Sequence, residues 1–165
     1  MKNWTVLSLI AVVVVASIYV SVRSVRYLWQ QKQDGFRHFT LDEFDSPDAP
    51  GSGAQHMSKS FIHQLDDVRD DVGFPLFVTS GYRTVDYNTK VGGIPGSAHT
   101  RGLAVDITAP TEGMKRSIAT AAISEGITRI GWGRTFIHLD VDQTKPQKIT
   151  WGYADSPAPN YNSLV

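Results

Sequence analysis

The sequence predicts a small α+β domain: a mostly antiparallel sheet with helices packed on one face, preceded by a transmembrane helix at the N-terminus. Three observations carry this. Two candidate strands each present one aliphatic face and one face of ionisable residues, so one side of the sheet packs and the other is free for chemistry. Helical and strand patterns do not alternate regularly enough for a doubly wound parallel sheet. Finally, residues 4–22 form a run of 19 without a charge.

The apolar run comes first in the chain. At 1.5 Å per residue it spans roughly 28 Å as a helix, close to the hydrocarbon thickness of a bilayer. Trp4 and Tyr19 lie near its ends, where aromatic anchors sit. Ser8, Ser17 and Ser21 do not form a stripe, which argues against a buried core helix. A cleaved signal peptide is the rival reading, with Val14-Val15-Ala16 as the small-residue site, but apolar residues continue past it. We read residues 1–35 as an anchor (or signal) with a juxtamembrane segment. Residues 36–165 then form the compact domain.

Within that domain, Phe39–Phe44 is a short amphipathic piece and 45–53 a loop dense in Pro, Gly, Asp and Ser. Ser58 caps a predicted helix running to Asp71, with Phe61, Ile62, Leu65, Val68 and Val72 on one face and Gly73 and Pro75 as its stop. Leu76–Thr79 reads as a strand and Val85–Lys90 as a short helix closed by Gly92 and Gly93. Thr111 caps a further helix, with Met114, Ile118, Ala121 and Ala122 inward and Gly126 as its end. Leu103–Thr108, Thr128–Gly131, Phe136–Val141 and Lys148–Trp151 are the remaining strand candidates.

Composition narrows function. The 165 residues carry 16 Lys+Arg against 16 Asp+Glu, so the basic excess of a phosphate-gripping nucleic-acid binder is missing. There is no cysteine, which excludes a disulfide scaffold, a thiol nucleophile and thiolate zinc sites. Hydrophobic residues at 41% suit a globular core, and 14 Gly with 8 Pro suit many turns. Oligomeric state is not legible.

The chemistry gathers on the two strands. Alternation places Leu103, Val105 and Ile107 on one face, and Ala104, Asp106 and Thr108 on the other. Ile137, Leu139 and Val141 share a face, opposite Phe136, His138, Asp140 and Asp142. If the strands are neighbours, Asp106, His138 and Asp140 converge above one surface, and His99 folds over it from the turn before the first strand. His99, Asp106 and His138 then supply three N/O ligands, the number typical of catalytic zinc. The bland alternative is two partly exposed histidines among surface carboxylates. His38, His56 and His63 lie outside these segments and read as surface histidines. Trp132 and Trp151 fit either a core or a cleft wall, and Arg134 a solvated turn.

Three segments extend the argument: Ser80-Gly81-Tyr82-Arg83-Thr84, Ser97-Ala98-His99-Thr100-Arg101-Gly102-Leu103-Ala104-Val105-Asp106, and Phe136-Ile137-His138-Leu139-Asp140. Together they closely resemble the zinc peptidases that include D-alanyl-D-alanine carboxypeptidases, D-Ala-D-Ala dipeptidases and phage L-alanyl-D-glutamate endolysins. That group shares a fold with the Sonic hedgehog signalling domain. The resemblance covers most of the chain beyond the apolar run. It implies Zn2+ held by His99, Asp106 and His138, and peptidoglycan stem peptides as substrate. It also implies that Arg83 grips the substrate carbonyl or carboxylate and steadies the oxyanion, a role suited to a permanently charged planar fork. Ser97 would bind substrate or orient its loop.

One position departs from the family. Many members carry an acidic general base three residues before the last histidine ligand, where this chain has Thr135. Others carry a histidine two residues before it, where this chain has Phe136. Asp140 is the nearest carboxylate and takes one of two roles, general base or a partner that orients His138. Asp142 is a weaker candidate. The departure keeps a second class of function open, a zinc-containing module that binds cell wall or a partner without catalysis. A third is a membrane protein with a degenerate domain. Wall chemistry also places the domain on the periplasmic or cell-wall side, whereas Arg23, Arg26 and Lys32 against Lys2 favour the opposite orientation.

Overall fold

The structure is a computed structural model that describes residues 35–153 and 156–165. The expected anchor at 4–22 lies outside the described residues. Among the described residues, no helix is long and apolar enough to cross a membrane.

Residues 36–165 build one α+β unit. Its helices are α1 (Ser52–His56), α2 (Lys59–Val72), α3 (Val85–Lys90) and α4 (Glu112–Ser124). Its strands are β1 (Val78–Ser80), β2 (Ala104–Thr108), β3 (Arg129–Trp132), β4 (Phe136–Asp140) and β5 (Ile149–Gly152). They form one sheet in the order β1-β2-β4-β3-β5. The pairs β1–β2, β2–β4 and β3–β4 are antiparallel, and β3–β5 is parallel. The sheet is therefore mixed: β5 returns along β3 after the 141–148 connection rather than folding back as a hairpin. The first strand lies two residues later than the sequence predicts, because its register with β2 begins where Val78 meets Ile107.

The helices form for the expected reasons. The Ser58 hydroxyl accepts from the Phe61 N–H at the start of α2, and Gly73 closes the helix in a left-handed conformation, φ 70°. Phe61, Ile62, Leu65 and Val68 are fully buried, each contributing about 1.5–3 kcal/mol of burial free energy. Thr111 caps α4 by accepting from the Met114 N–H. Ile118, Ala119 and Ala122 of α4 pack with Val105, Ile107, Ile130, Ile137 and Leu139 in one core. All five of these sheet residues belong to the aliphatic face. The opposite face carries Asp106, His138 and Asp140.

Lys115 breaks the pattern of α4. It is buried, and its ammonium donates to the Gly133 carbonyl at 3.1 Å, 5.5 Å from the Trp132 ring centroid. Trp132 is core rather than cleft: it is fully buried and its indole donates to Glu112 at 3.0 Å.

A single turn connects core and site. Residues 98–101 form a short 3-10 helix that ends at Gly102, φ 66°. A Cβ on Gly102 would lie 1.9 Å from the His56 carbonyl oxygen, so left-handed backbone and close chain approach both require glycine. The Gly102 carbonyl accepts from the Ser58 N–H, and its own N–H donates to the His99 carbonyl. Gly102→Ala is expected to cost about 2–4 kcal/mol of stability. Urea denaturation checks this, and a loss under about 1 kcal/mol would contradict the reading.

Candidate metal centre

The antiparallel register sets the first two residues of the site. Asp106 on β2 pairs directly with His138 on β4, so both side chains rise from the same face. His99 arrives from the 98–101 turn. That turn is tied to the 80–84 segment by the Arg83 N–H donating to the His99 carbonyl at 3.1 Å. The 80–84 segment sits close on the core because Gly81 has no side chain: a Cβ there would lie 2.5 Å from the Phe44 Cα.

Hydrogen-bond partners assign the tautomers. A carbonyl only accepts, so Nδ1 of His99 donates to the Gly81 oxygen at 2.6 Å. On His138, Nε2 faces the Asp140 carboxylate at 3.1 Å and donates to it. The remaining nitrogens, His99 Nε2 and His138 Nδ1, both turn toward Asp106 Oδ1. The three separations are 3.2 Å between the nitrogens, 2.8 Å from His138 to Asp106 and 3.3 Å from His99 to Asp106. A tetrahedral metal with N/O ligands at about 2.0–2.2 Å holds its ligand atoms about 3.3–3.5 Å apart. Three electron-pair donors at nearly that spacing need a cation between them, so the residues fit zinc in both chemistry and size. All three are buried.

The charges agree. Burial disfavours a charge on Asp106, but the adjoining His138 and His99 rings outweigh it and hold the carboxyl well below the usual range. Burial drives His99 toward its neutral form, the form that ligates metal. Burial acts the same way on His138, but Asp106 and Asp140 outweigh it and raise its pKa.

The surroundings hold these groups in place. Arg83 donates from Nη2 to Asp106 Oδ2 at 2.6 Å and from Nε to the Ser80 hydroxyl at 2.8 Å. Its remaining N–H groups stay available beside a cavity of about 580 Å3. Ser97 stands at the N-cap of the His99 turn and lines the same cavity. Asp140 is 2% exposed. Its Oδ1 accepts from Arg129 Nε at 2.7 Å and from the Asp142 N–H at 3.0 Å. Asp142 is turned away from the cavity. It accepts from Thr144 and pairs with Arg101.

His38, His56 and His63 take no part in the metal group. His38 pairs with Asp70, His56 stacks on Tyr82 with ring centroids 4.4 Å apart, and His63 lies 4.8 Å from Phe36. Thr135 and Arg134 are exposed. Trp151 lines the cavity, resolving its two readings in favour of the cleft wall.

Sequence reasoning missed Arg129, Gly131 and Tyr153. Arg129 was detectable as a charge inside a predicted strand, where the polar face needs a partner. Pairing β3 against β4 puts it opposite Asp140. Tyr153 follows the last strand and reaches the site only because β5 pairs in parallel with β3.

The sequence matches the family model for peptidase M15 over residues 37–140. The chain belongs to that family of zinc-dependent metallopeptidases, and the matched span contains His99, Asp106 and His138. A search of curated proteins finds no match.

Asp142 supplies a pH test away from the metal ligands. Burial opposes its ionisation, yet the Thr144 hydroxyl and N–H and the Arg101 guanidinium lower its pKa to about 2. A folded-state pKa below the unfolded value near 3.9 stabilises the fold above about pH 4, and that stability is lost as pH falls toward about 2. The loss is expected to be roughly 1–2 kcal/mol. Denaturation midpoints between about pH 5 and about pH 2 check it. Asp142→Asn should flatten that part of the curve, and an unchanged slope would contradict the assignment.

Proposed function

We propose that this protein is a zinc peptidase that hydrolyses peptide bonds in peptidoglycan stem peptides, with its domain on the cell-wall side of the membrane. The observation that carries the reading is the cluster of His99 Nε2, Asp106 Oδ1 and His138 Nδ1 at the floor of a cavity, within a chain of the M15 family. When bound, zinc supplies Lewis acidity and lowers the pKa of water toward about 7.

The chain's own residues do the rest. Arg83 presents donors where negative charge develops on the carbonyl oxygen, and its second anchor on Ser80 fixes the fork. Its pairing with Asp106 also holds that carboxylate in one orientation. Ser97 opens the turn that delivers His99, its carbonyl accepting from the Thr100 N–H and hydroxyl while its own hydroxyl makes no cap hydrogen bond. The hydrogen-bond geometry favours an orienting role for Asp140: the carboxylate fixes the His138 tautomer and is itself held by Arg129. Asp140 lines the cavity, but Oδ2 is engaged by His138 and Oδ1 by Arg129 and the Asp142 N–H, which leaves neither oxygen well placed to take a proton from a water.

The zinc-binding module without catalysis is favoured by one observation, the absence of a carboxylate at Thr135. One experiment separates the two. Full-length protein is incubated with purified peptidoglycan, with and without a chelator, and the fragments are identified by mass spectrometry. Chelator-sensitive release of defined peptides is expected. Intact substrate with a zinc-loaded, folded protein would overturn the peptidase reading.

The role of Asp140 has its own test. Asp140→Asn is expected to lower zinc affinity about 10–100-fold, while activity recovers once zinc is saturating. Activity that stays lost at saturating zinc would instead make Asp140 the base.

A further inference from the structure

The register places one residue from each strand in a row on the polar face: Ser80, Asp106, His138, Gly131 and Trp151. Gly131 is the gap in that row. A Cβ there would lie 2.5 Å from Tyr153 Cε2, and 3.0 Å from both Trp151 Cε2 and His138 Cβ. The missing side chain lets two aromatic rings lean over β3 toward the metal ligand. Ring centroids lie 5.4 Å apart for Trp151 and His138, and 6.2 Å apart for Tyr153 and His138.

Tyr153 is built into this place. Its N–H donates to the Trp132 carbonyl at 2.9 Å, continuing the β3–β5 ladder by one residue. Alternation therefore puts it on the same face as Trp151. Its ring packs on Phe136 at 5.3 Å and lines the cavity together with Arg83 and His138. Phe136 lines the same cavity from β4, so Tyr153 brings a polar group to a part of the cleft that β4 leaves apolar. A phenol is protonated near neutral pH, so its hydroxyl is a donor there rather than a base.

We propose that Tyr153 is a catalytic residue. Its phenol hydroxyl donates a hydrogen bond to the scissile carbonyl oxygen as negative charge develops there, approaching from the β5 side while Arg83 approaches from the β1 side. No proton is transferred in this role. The donor acts by electrostatic preorganisation, stronger in the transition state than in the ground state. The inference rests on the peptidase reading above.

Tyr153→Phe keeps the ring and its packing and removes only the hydroxyl. On a defined stem peptide, kcat is expected to fall about 10²–10³-fold, with KM within about threefold. A phosphinate peptide that mimics the tetrahedral oxyanion should lose affinity by a similar factor in calorimetry. Zinc content and the thermal midpoint should stay as in wild type. Wild-type kcat in the variant would overturn the proposal while leaving the peptidase reading intact. So would a loss confined to KM, which marks a binding platform, or a loss of zinc, which marks a structural role. Zinc-loaded wild-type protein that cleaves no peptide would overturn both readings.

Discussion

The molecule is organised around one electrostatic constraint. Three atoms that each offer an electron pair face one another at hydrogen-bonding distance inside a buried pocket. Such a cluster repels itself unless a proton or a metal ion sits within it, and burial removes the water that would otherwise screen the repulsion. The fold must therefore hold the three ligands firmly while leaving room for a cation. It does so with backbone. Asp106 and His138 are fixed by a direct cross-strand pair, and His99 by a turn whose carbonyls accept from the Arg83 and Leu103 N–H groups. The glycines at 81 and 102 follow from this closeness, since each lies against a neighbouring backbone that a methyl group would push away.

Support for the ligands is layered outward from the metal position, with Asp140 and Arg129 themselves part of the cavity wall. Asp140 lies behind His138, Arg129 behind Asp140, and the Pro146 carbonyl behind Arg129. Each member is satisfied by the next, which is the condition under which a buried polar chain rigidifies a site instead of weakening it. The 141–148 connection is part of this layering, with Asp142 gathering Thr144, Arg101 and Lys145 around one carboxylate. A segment that looks like a loop in sequence thus supports the site from outside.

The legible part of the fold was the part written in short-range pattern. Period-two alternation in 103–108 and 136–142 assigned the faces of β2 and β4 correctly. Ser58, Gly73 and Thr111 marked helix ends because capping is local chemistry. The group of His99, Asp106 and His138 was read from two neighbouring strands and the turn before the first of them, and the resemblance strengthened that reading and added Arg83. Long-range pairing was hidden. The parallel placement of β5 beside β3 has no local signature, so Trp151 kept two readings and Tyr153 none. Arg129 was passed over because a charge in a short strand looks like an edge residue until its partner Asp140 is placed across from it. The delayed start of β1 has the same cause: Leu76 is buried like a strand residue, but pairing is decided by where β2 runs.

The charge balance of the site follows from the same geometry. Asp106 and Asp140, the two carboxylates lining the cavity among the described residues, each have an arginine of their own, Arg83 and Arg129. The two pairs cancel and Lys145 adds a further cation, so the described lining adds no net negative charge around the metal position. Many sites neutralise a divalent ion with surplus carboxylates, and the ion then draws less on its other ligands. Here the ion's charge would remain largely uncompensated by the protein, which favours a polarised carbonyl or a carboxylate as its next neighbour. That arrangement also bears on Thr135. Thr135 carries no charge, so it leaves the ion's positive field unopposed, and a neutral donor of the kind proposed at Tyr153 would do the same.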